Sequence, residues 1–109
     1  MPTTYKVLGQ SNPSATTATT LYTVPSATST VVSTITVANL GGSAATYRIS
    51  VRPAAATQTN AMYIAYDVTV GANDTTTLTL GLTLATTDVI TVYASSATVA
   101  FNAYGSEIA

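Results

Sequence analysis

The 109-residue chain contains no cysteine, no histidine and no tryptophan. Without cysteine it has neither a disulfide framework nor a thiolate nucleophile. Without histidine, a Ser-His-Asp triad and the usual ligand sets of zinc are also excluded. These absences remove the commonest classes of hydrolase and zinc protein. The remaining residues form no catalytic, cofactor-binding or metal-binding motif, so we expect a protein that is not an enzyme and has no cofactor.

Charge is also scarce, at 6% of residues against roughly 25% in a typical soluble domain. With a net charge of −1, neither net charge nor charged strand edges protect the surface from association. Three cations cannot neutralise a run of phosphates, so nucleic-acid binding is not expected. We expect instead a symmetric homo-oligomer whose outer surface largely faces partner chains. A trimer is our working stoichiometry.

Long apolar runs are missing as well, since none approaches the roughly 20 residues that span a bilayer. No membrane association is therefore expected. The opening MPTTYKVLGQ also lacks the charged and apolar regions of a signal peptide. The length suits one core, so residues 1–109 are predicted to form one domain. Within it, residues 5–8 fit either a first strand or an arm lying on a neighbouring chain, and residues 1–18 fit an extended N-terminal arm.

Apolar and polar residues alternate with period two through much of the chain. Over residues 30–52 this alternation predicts two strands, folded back on each other as a hairpin at residues 39–42, where Gly41 and Gly42 suit a tight turn. The residues assigned to the buried side of this pair are Val31, Ile35, Val37, Tyr47, Ile49 and Val51.

Further strands are predicted at residues 19–24, 62–70, 77–84, 89–94 and 98–104, and residues 53–61 are predicted to be a loop that holds a helical turn. A leucine at every second position from residue 78 to 84 cannot line one face of a helix, so it lines one face of a strand. About eight short strands result, with turn signals every 8 to 12 residues. This pattern predicts an all-β fold, an antiparallel β-sandwich or jelly-roll-like barrel. The residues assigned inward in the 62–70 strand are Met62, Ile64, Tyr66, Val68 and Val70.

The acidic residues Asp74 and Asp88 lie in predicted turns, at residues 71–74 and 85–88. Aspartate in a turn ordinarily accepts hydrogen bonds from nearby backbone. The two residues also have the oxygen ligands that calcium takes, but their spacing matches no calcium-binding loop. A glycosidase needs two facing carboxylates, which this arrangement does not indicate. We therefore interpret both aspartates as turn residues.

Arg48 and Arg52 lie on one outward face, and Asp67 lies outward on the next predicted strand. Two interpretations remain open. The residues form a cross-strand ion pair, or the arginines belong to an interface, where arginine is enriched.

The seven tyrosines invite a sugar-binding interpretation. Tyr47 and Tyr66, however, fall in the inward register, where core packing explains them. Tyr63 and Tyr93 are predicted to face outward, where a tyrosine serves protein contact or ligand binding equally well.

Three segments carry a resemblance to a known family: the lead YKVLGQ, the step LYTVP and the close FNAYGSEI. With them, nearly the whole chain resembles a family of small structural proteins of tailed phages, cyanophages among them. The resemblance implies a virion protein and brings no catalytic residue with it. The residues that we select as candidate interface contacts are Tyr5, Lys6, Arg48, Arg52, Tyr63 and Glu107.

The leading hypothesis is a non-enzymatic virion protein that stabilises the particle by contacts with its own copies and with major capsid or tail proteins. It would act as a capsid decoration (cement) protein or be attached to the tail. The alternative is a module of a tail fibre or baseplate that binds carbohydrate or a host receptor. An enzyme such as a depolymerase is the third hypothesis, and the lack of candidate catalytic bases in the sequence counts against it.

Overall fold

The computed structural model describes residues 2–109, and it confirms the all-β prediction with eight strands in two antiparallel four-stranded sheets packed face to face. The first sheet has the order β1-β8-β3-β6 and the second the order β2-β7-β4-β5. This is the strand order of a jelly roll. The strands are β1 (Thr3–Ser11), β2 (Thr19–Thr23), β3 (Ser29–Asn39), β4 (Ala45–Arg52), β5 (Tyr63–Val70), β6 (Thr75–Leu84), β7 (Val89–Ala94) and β8 (Val99–Ile108).

The predicted hairpin between β3 and β4 is wrong, because the two strands lie in different sheets. The connection at residues 39–44 is an arch across the core, and it is held by the buried side chain of Asn39. The Asn39 amide donates to the carbonyl of Ser43 at 2.8 Å, and its oxygen accepts from the Gly41 N–H at 3.0 Å and the Thr98 hydroxyl at 2.8 Å. Neither Gly41 nor Gly42 adopts a positive φ. Glycine and asparagine mark a change of chain direction, and an arch needs that change as much as a hairpin does.

The core lies between the sheets and follows the alternation predicted for β4 and β6. Ile35, Ile49 and Ile90 are fully buried, and the rings of Tyr47 and Phe101 meet edge to face with centroids 6.2 Å apart. The alternate leucines of β6 all pack against this core, as predicted. Within residues 2–109, every buried side-chain nitrogen and oxygen has a hydrogen-bond partner. The sandwich is therefore closed by apolar packing with few polar defects.

A bulge in β3 reverses the inward assignment at one end of that strand. Val32 and Thr34 pair with Gly105 and Tyr104, so Ser33 is an extra residue on β3. As a result Val32 is buried and Val31 is only partly so, which corrects the assignment of Val31 to the core. The bulge also explains Gly105. A Cβ there would lie 2.0 Å from the carbonyl oxygen of Val31, so only glycine fits.

A second bulge, in β5, turns Tyr66 of the predicted inward face outward. Val68 pairs with Tyr47 and Ala65 with Ile49, so three steps on β5 match two on β4, and Asp67 within the bulge has φ 50°. Such a bulge exchanges the two faces of a strand. Of the five residues assigned inward, only Val70 is buried, whereas Tyr66 is 55% exposed. Tyr66 therefore lies on the outer surface, and Ala65 packs against the core in its place.

The ends of the chain meet in the first sheet. β1 pairs with β8 from Thr3 opposite Ile108 to Ser11 opposite Phe101, so residues 5–8 form a strand of their own sheet. Met1, the first residue of the predicted arm, lies outside the described residues. β8 runs to Ile108, beyond the predicted end at residue 104. The loop after β4 holds two short 3-10 turns, at Pro53–Ala55 and Asn60–Met62, in agreement with its prediction.

Candidate functional site

The six predicted interface residues fall into two groups on opposite sheets. Tyr5, Lys6 and Glu107 lie on the paired strands β1 and β8 of the first sheet, with Tyr5 83% exposed. Arg48 and Arg52 lie on β4 of the second sheet, and Tyr63 begins the neighbouring β5. The candidate interface residues are therefore divided between the two sheets.

Arg48 is held from three sides. Its Nε donates to Asp67 Oδ1 at 2.6 Å and its Nη2 to Oδ2 at 3.3 Å, which is the predicted cross-strand ion pair. Its guanidinium carbon lies 4.3 Å from the ring centroids of both Tyr66 and Tyr93. The hydrogen bond to Asp67 raises the pKa of Arg48 further above its usual value. The β5 bulge creates this clamp, because it turns Tyr66 and Asp67 outward beside Arg48.

Arg52 has no carboxylate partner among residues 2–109, and the predicted pairing with Asp67 belongs to Arg48 alone. Its Nε donates to the Thr91 hydroxyl and its Nη1 to the carbonyl of Ala56, both at 3.1 Å. These two contacts fix the guanidinium group while leaving its charge uncompensated.

Both arginines line a cleft of about 280 Å³ on the outer face of the second sheet. Tyr63 and Tyr93, the two tyrosines predicted to face outward, also line it. Ser50 and Gln58 contribute polar groups, and the Ser50 hydroxyl donates to Gln58 Oε1 at 2.5 Å. The cleft thus combines aromatic rings, hydroxyl and amide groups and one uncompensated cation.

A chain of polar contacts closes one end of the sandwich around Glu107. Lys6 Nζ lies 3.1 Å from Glu107 Oε1, and the buried hydroxyl of Tyr22 donates to Glu107 Oε2 at 2.5 Å and lies 2.8 Å from the Thr30 hydroxyl. Burial, together with the bond to Glu107, raises the pKa of Tyr22 to about 12. The same bond lowers the pKa of Glu107. Lys6 and Glu107 are thus engaged within their own chain.

The outer face of the first sheet carries no charged side chain among the described residues. Strand alternation places small polar residues, above all threonine, over most of this face, and an apolar patch of Tyr5, Val7 and Tyr104 at one end. We call it the uncharged face. Its residues are Tyr5, Val7, Gln10, Val31, Thr34, Thr36, Ala38, Thr75, Thr77, Thr79, Thr83, Ala100, Asn102, Tyr104 and Ser106.

Asp74 and Asp88 are turn residues, as predicted. The Asp74 N–H donates to the Gly71 carbonyl at 3.2 Å and the Asp88 N–H to the Ala85 carbonyl at 3.1 Å. The ten-residue β6 separates the two turns by about 30 Å, at roughly 3.3 Å per residue, so the aspartates cannot share a calcium ion. Residues 2–109 contain no cluster of three acidic side chains that would hold a metal.

Sequence reasoning identified the arginines and Tyr63 but missed Gln58 and Thr91, which complete the cleft. Both are common polar residues, one in a loop and one on β7, and only the pairing of β4 with β7 brings Thr91 beside Ser50. The β5 bulge was also not predicted from the sequence. In residues 2–109 no helix has the length and apolarity needed to cross a membrane.

Comparisons of the chain with protein-family models, with curated proteins and with solved structures found no match.

Proposed function

We propose that the protein is a non-enzymatic structural component of a virion, a homo-oligomer that decorates the capsid or is attached to the tail. The observation that carries this proposal is the uncharged face of the first sheet. A soluble domain that remained alone would ordinarily keep charged side chains on an exposed sheet of this kind. The absence of charge favours burial of the face against another protein.

The edge of the same sheet supports this proposal. β6 is ten residues long, pairs only with β3 and contains neither a charged residue nor a proline. Natural proteins usually protect such an edge with charge, proline or a covering segment, because its free N–H and C=O groups pair readily with another strand. A partner strand, from a second copy or from another virion protein, would satisfy these groups.

The apolar patch would add to the contact. Tyr5 and Val7 are 83% and 48% exposed, and Tyr104 beside them is 36% exposed. Burying apolar surface contributes roughly 25 cal/mol per Å² removed from water. The jelly-roll order is compatible with this role, since viral capsid proteins use it. Lectins use it too, and a fold alone does not assign a function.

The first experiment is a measurement of mass in solution by sedimentation equilibrium, at micromolar protein concentration. We expect an oligomer. Thr79→Lys places a cation on the edge strand β6 of the uncharged face and should shift the protein toward the monomer. Thr69→Lys is the matched control, because Thr69 is also an exposed threonine of an edge strand but lies in the second sheet. A monomeric wild-type protein, or equal effects of the two substitutions, would argue against the uncharged face as the interface.

The second experiment tests the virion assignment itself. Particles of a phage whose genome carries this sequence would be purified and analysed by mass spectrometry and by cryo-electron microscopy. We expect the protein in the particles at a copy number set by their symmetry, with density on the head or the tail. Particles without the protein would refute the assignment.

A further inference from the structure

The cleft on the second sheet is not needed for the structural role proposed above. It lies on the opposite side of the sandwich from the uncharged face, since Arg48 and Arg52 project from the outer surface of β4. Its volume of about 280 Å³ is near the lower end of the range for small-molecule sites. A pocket of this size accommodates a group of about one sugar ring.

One wall of the cleft is formed by side chains that contact one another. Asp67 fixes Arg48, whose guanidinium lies between Tyr66 and Tyr93, and the ring of Tyr66 in turn meets that of Tyr63 edge to face, with centroids 4.8 Å apart. Each ring that borders the cleft is therefore held before any ligand arrives. Prior ordering of this kind lowers the entropic cost of binding.

Arg52 supplies the charge at the cleft. The Arg48 charge is balanced by Asp67, whereas no carboxylate among residues 2–109 lies within ion-pair distance of Arg52. Asp88, which precedes the pairing partner of Arg52 on β7, accepts instead from the backbone N–H groups of Ala54 and Ala85. The Nη2 group of Arg52 has no partner in the described part of the chain, although Nε and Nη1 are both bonded. A fixed guanidinium with unused N–H groups is suited to pairing with a carboxylate.

We propose that this cleft binds a saccharide that carries a carboxylate, such as a uronic or sialic acid residue. Arg52 pairs with the carboxylate, the ring of Tyr63 contacts the apolar side of the sugar, and Gln58 and Thr91 face its hydroxyl groups. This binding goes beyond the structural role and does not depend on it.

Three features favour a saccharide over other anions. The cleft offers one uncompensated cation, which matches a single carboxylate better than the double charge of a phosphate monoester. Its lining alternates tyrosine rings with hydroxyl and amide groups, which suits a ligand with one apolar side and many hydroxyls. The cleft also lies on the face of the sheet, where the backbone groups of β4 and β7 are already paired with each other. It therefore offers no strand edge to an extended peptide.

The test is a titration of the isotope-labelled protein followed by the NMR shifts of its backbone amides. The probes are the methyl glycosides of glucuronic acid, galacturonic acid and N-acetylneuraminic acid, with methyl glucoside as the neutral comparison. We expect at least one acidic glycoside to shift the amides of Thr20, Ser50, Gln58 and Thr91. The neutral glucoside should bind at least tenfold more weakly.

Two variants assign the roles. Arg52→Gln should weaken binding of the acidic glycoside at least tenfold, whereas Lys6→Gln, which removes the same charge on the other sheet, should leave it unchanged. Tyr63→Ala should weaken binding of the glycoside more than it weakens binding of acetate, because acetate has no sugar ring for Tyr63 to contact. The dispersion of the amide spectrum verifies that each variant is folded. If Arg52→Gln does not fold, Tyr63→Ala and the comparison of acidic with neutral glycoside still decide the matter.

Several results would overturn the proposal. They are the absence of binding by all three acidic glycosides, equal binding of methyl glucoside, or undiminished binding by folded Arg52→Gln. Acetate or inorganic phosphate binding as tightly as the glycosides would identify a simple anion site, and tighter binding of the carboxyl-terminal peptide acetyl-Ala-Ala would identify a peptide site. None of these results bears on the oligomeric mass or on the presence of the protein in particles.

Discussion

Replacing Gly105 with alanine should destabilise the protein strongly. A Cβ at this position would lie 2.0 Å from the carbonyl oxygen of Val31 and 3.0 Å from the Cα of Val32. Both atoms belong to the backbone of β3, in the interior of the first sheet, so no side chain can move to make room. Overpacking costs about 1–3 kcal/mol in protein cores, and we expect the upper end, about 3 kcal/mol, because backbone must separate.

Gly81→Ala is the matched control. A Cβ on Gly81 meets no atom within 4 Å, and neither glycine has a positive φ. Alanine there should change stability by less than about 1 kcal/mol, in the stabilising direction, because it reduces the freedom of the unfolded chain.

Thermal unfolding followed by circular dichroism separates the two variants. For a domain of this size, about 3 kcal/mol corresponds to a decrease in Tm of about 13 °C, at roughly 2.1 cal/mol/K per residue. Gly81→Ala should raise Tm by up to about 4 °C on the same scale. If Gly105→Ala melted within 3 °C or so of the wild type, the assignment of a bulge at Ser33 would be wrong. The assignment of Val32 rather than Val31 to the core would then be wrong as well.

Three further predictions concern the core and the polar end of the sandwich. Ile49→Asp should prevent folding because it places an unpaired charge at a fully buried position, whereas Leu40→Asp, at a position 70% exposed, should melt within a few degrees of the wild type in the same assay. Between pH 10 and pH 12, the free energy of unfolding should fall by about 2 kcal/mol, because Tyr22 has a raised pKa in the folded state and therefore ionises first in the unfolded state. Urea titrations should show that Tyr22→Phe lacks this loss. Below about pH 4.5, the free energy of unfolding should fall as the Glu107 carboxylate is protonated, because its pKa is lower in the folded state than in the unfolded state. In urea titrations, Glu107→Gln should show a smaller loss between pH 5 and 3.

Alternation in the sequence identified the strands well because burial of one face imposes period two wherever the backbone is regular. It placed Ile49 and Val37 in the core, found the alternate leucines of β6 and bounded β7 at the same residues as the structure. Alternation cannot show which sheet a strand belongs to, since both sheets bury their inner faces in the same way. The connection from β3 to β4 was therefore read as a hairpin.

Bulges were the second source of error, because an extra residue reverses the faces without changing the composition. Ser33 and Asp67 are ordinary residues on strands, and neither predicts a bulge. At Asp67 the error concerned function as well as fold. The prediction placed Tyr66 in the core, whereas the structure brings it to Arg48 beside the cleft. The pairing of Arg48 with Asp67 was predictable because it required only that both residues lie outward on adjacent strands.

The pairing of β1 with β8 has a consequence for synthesis of the chain. Thr3 lies opposite Ile108, and β1 has no other strand neighbour in its sheet. On a ribosome that adds roughly 5–20 residues per second, β1 therefore waits about 5–20 s before its partner has been made. During that interval β1 has no strand partner in its sheet, so neither Leu8 nor the apolar patch around Tyr5 has reached its final place. The first sheet of the sandwich is consequently completed only once β8 has left the ribosome.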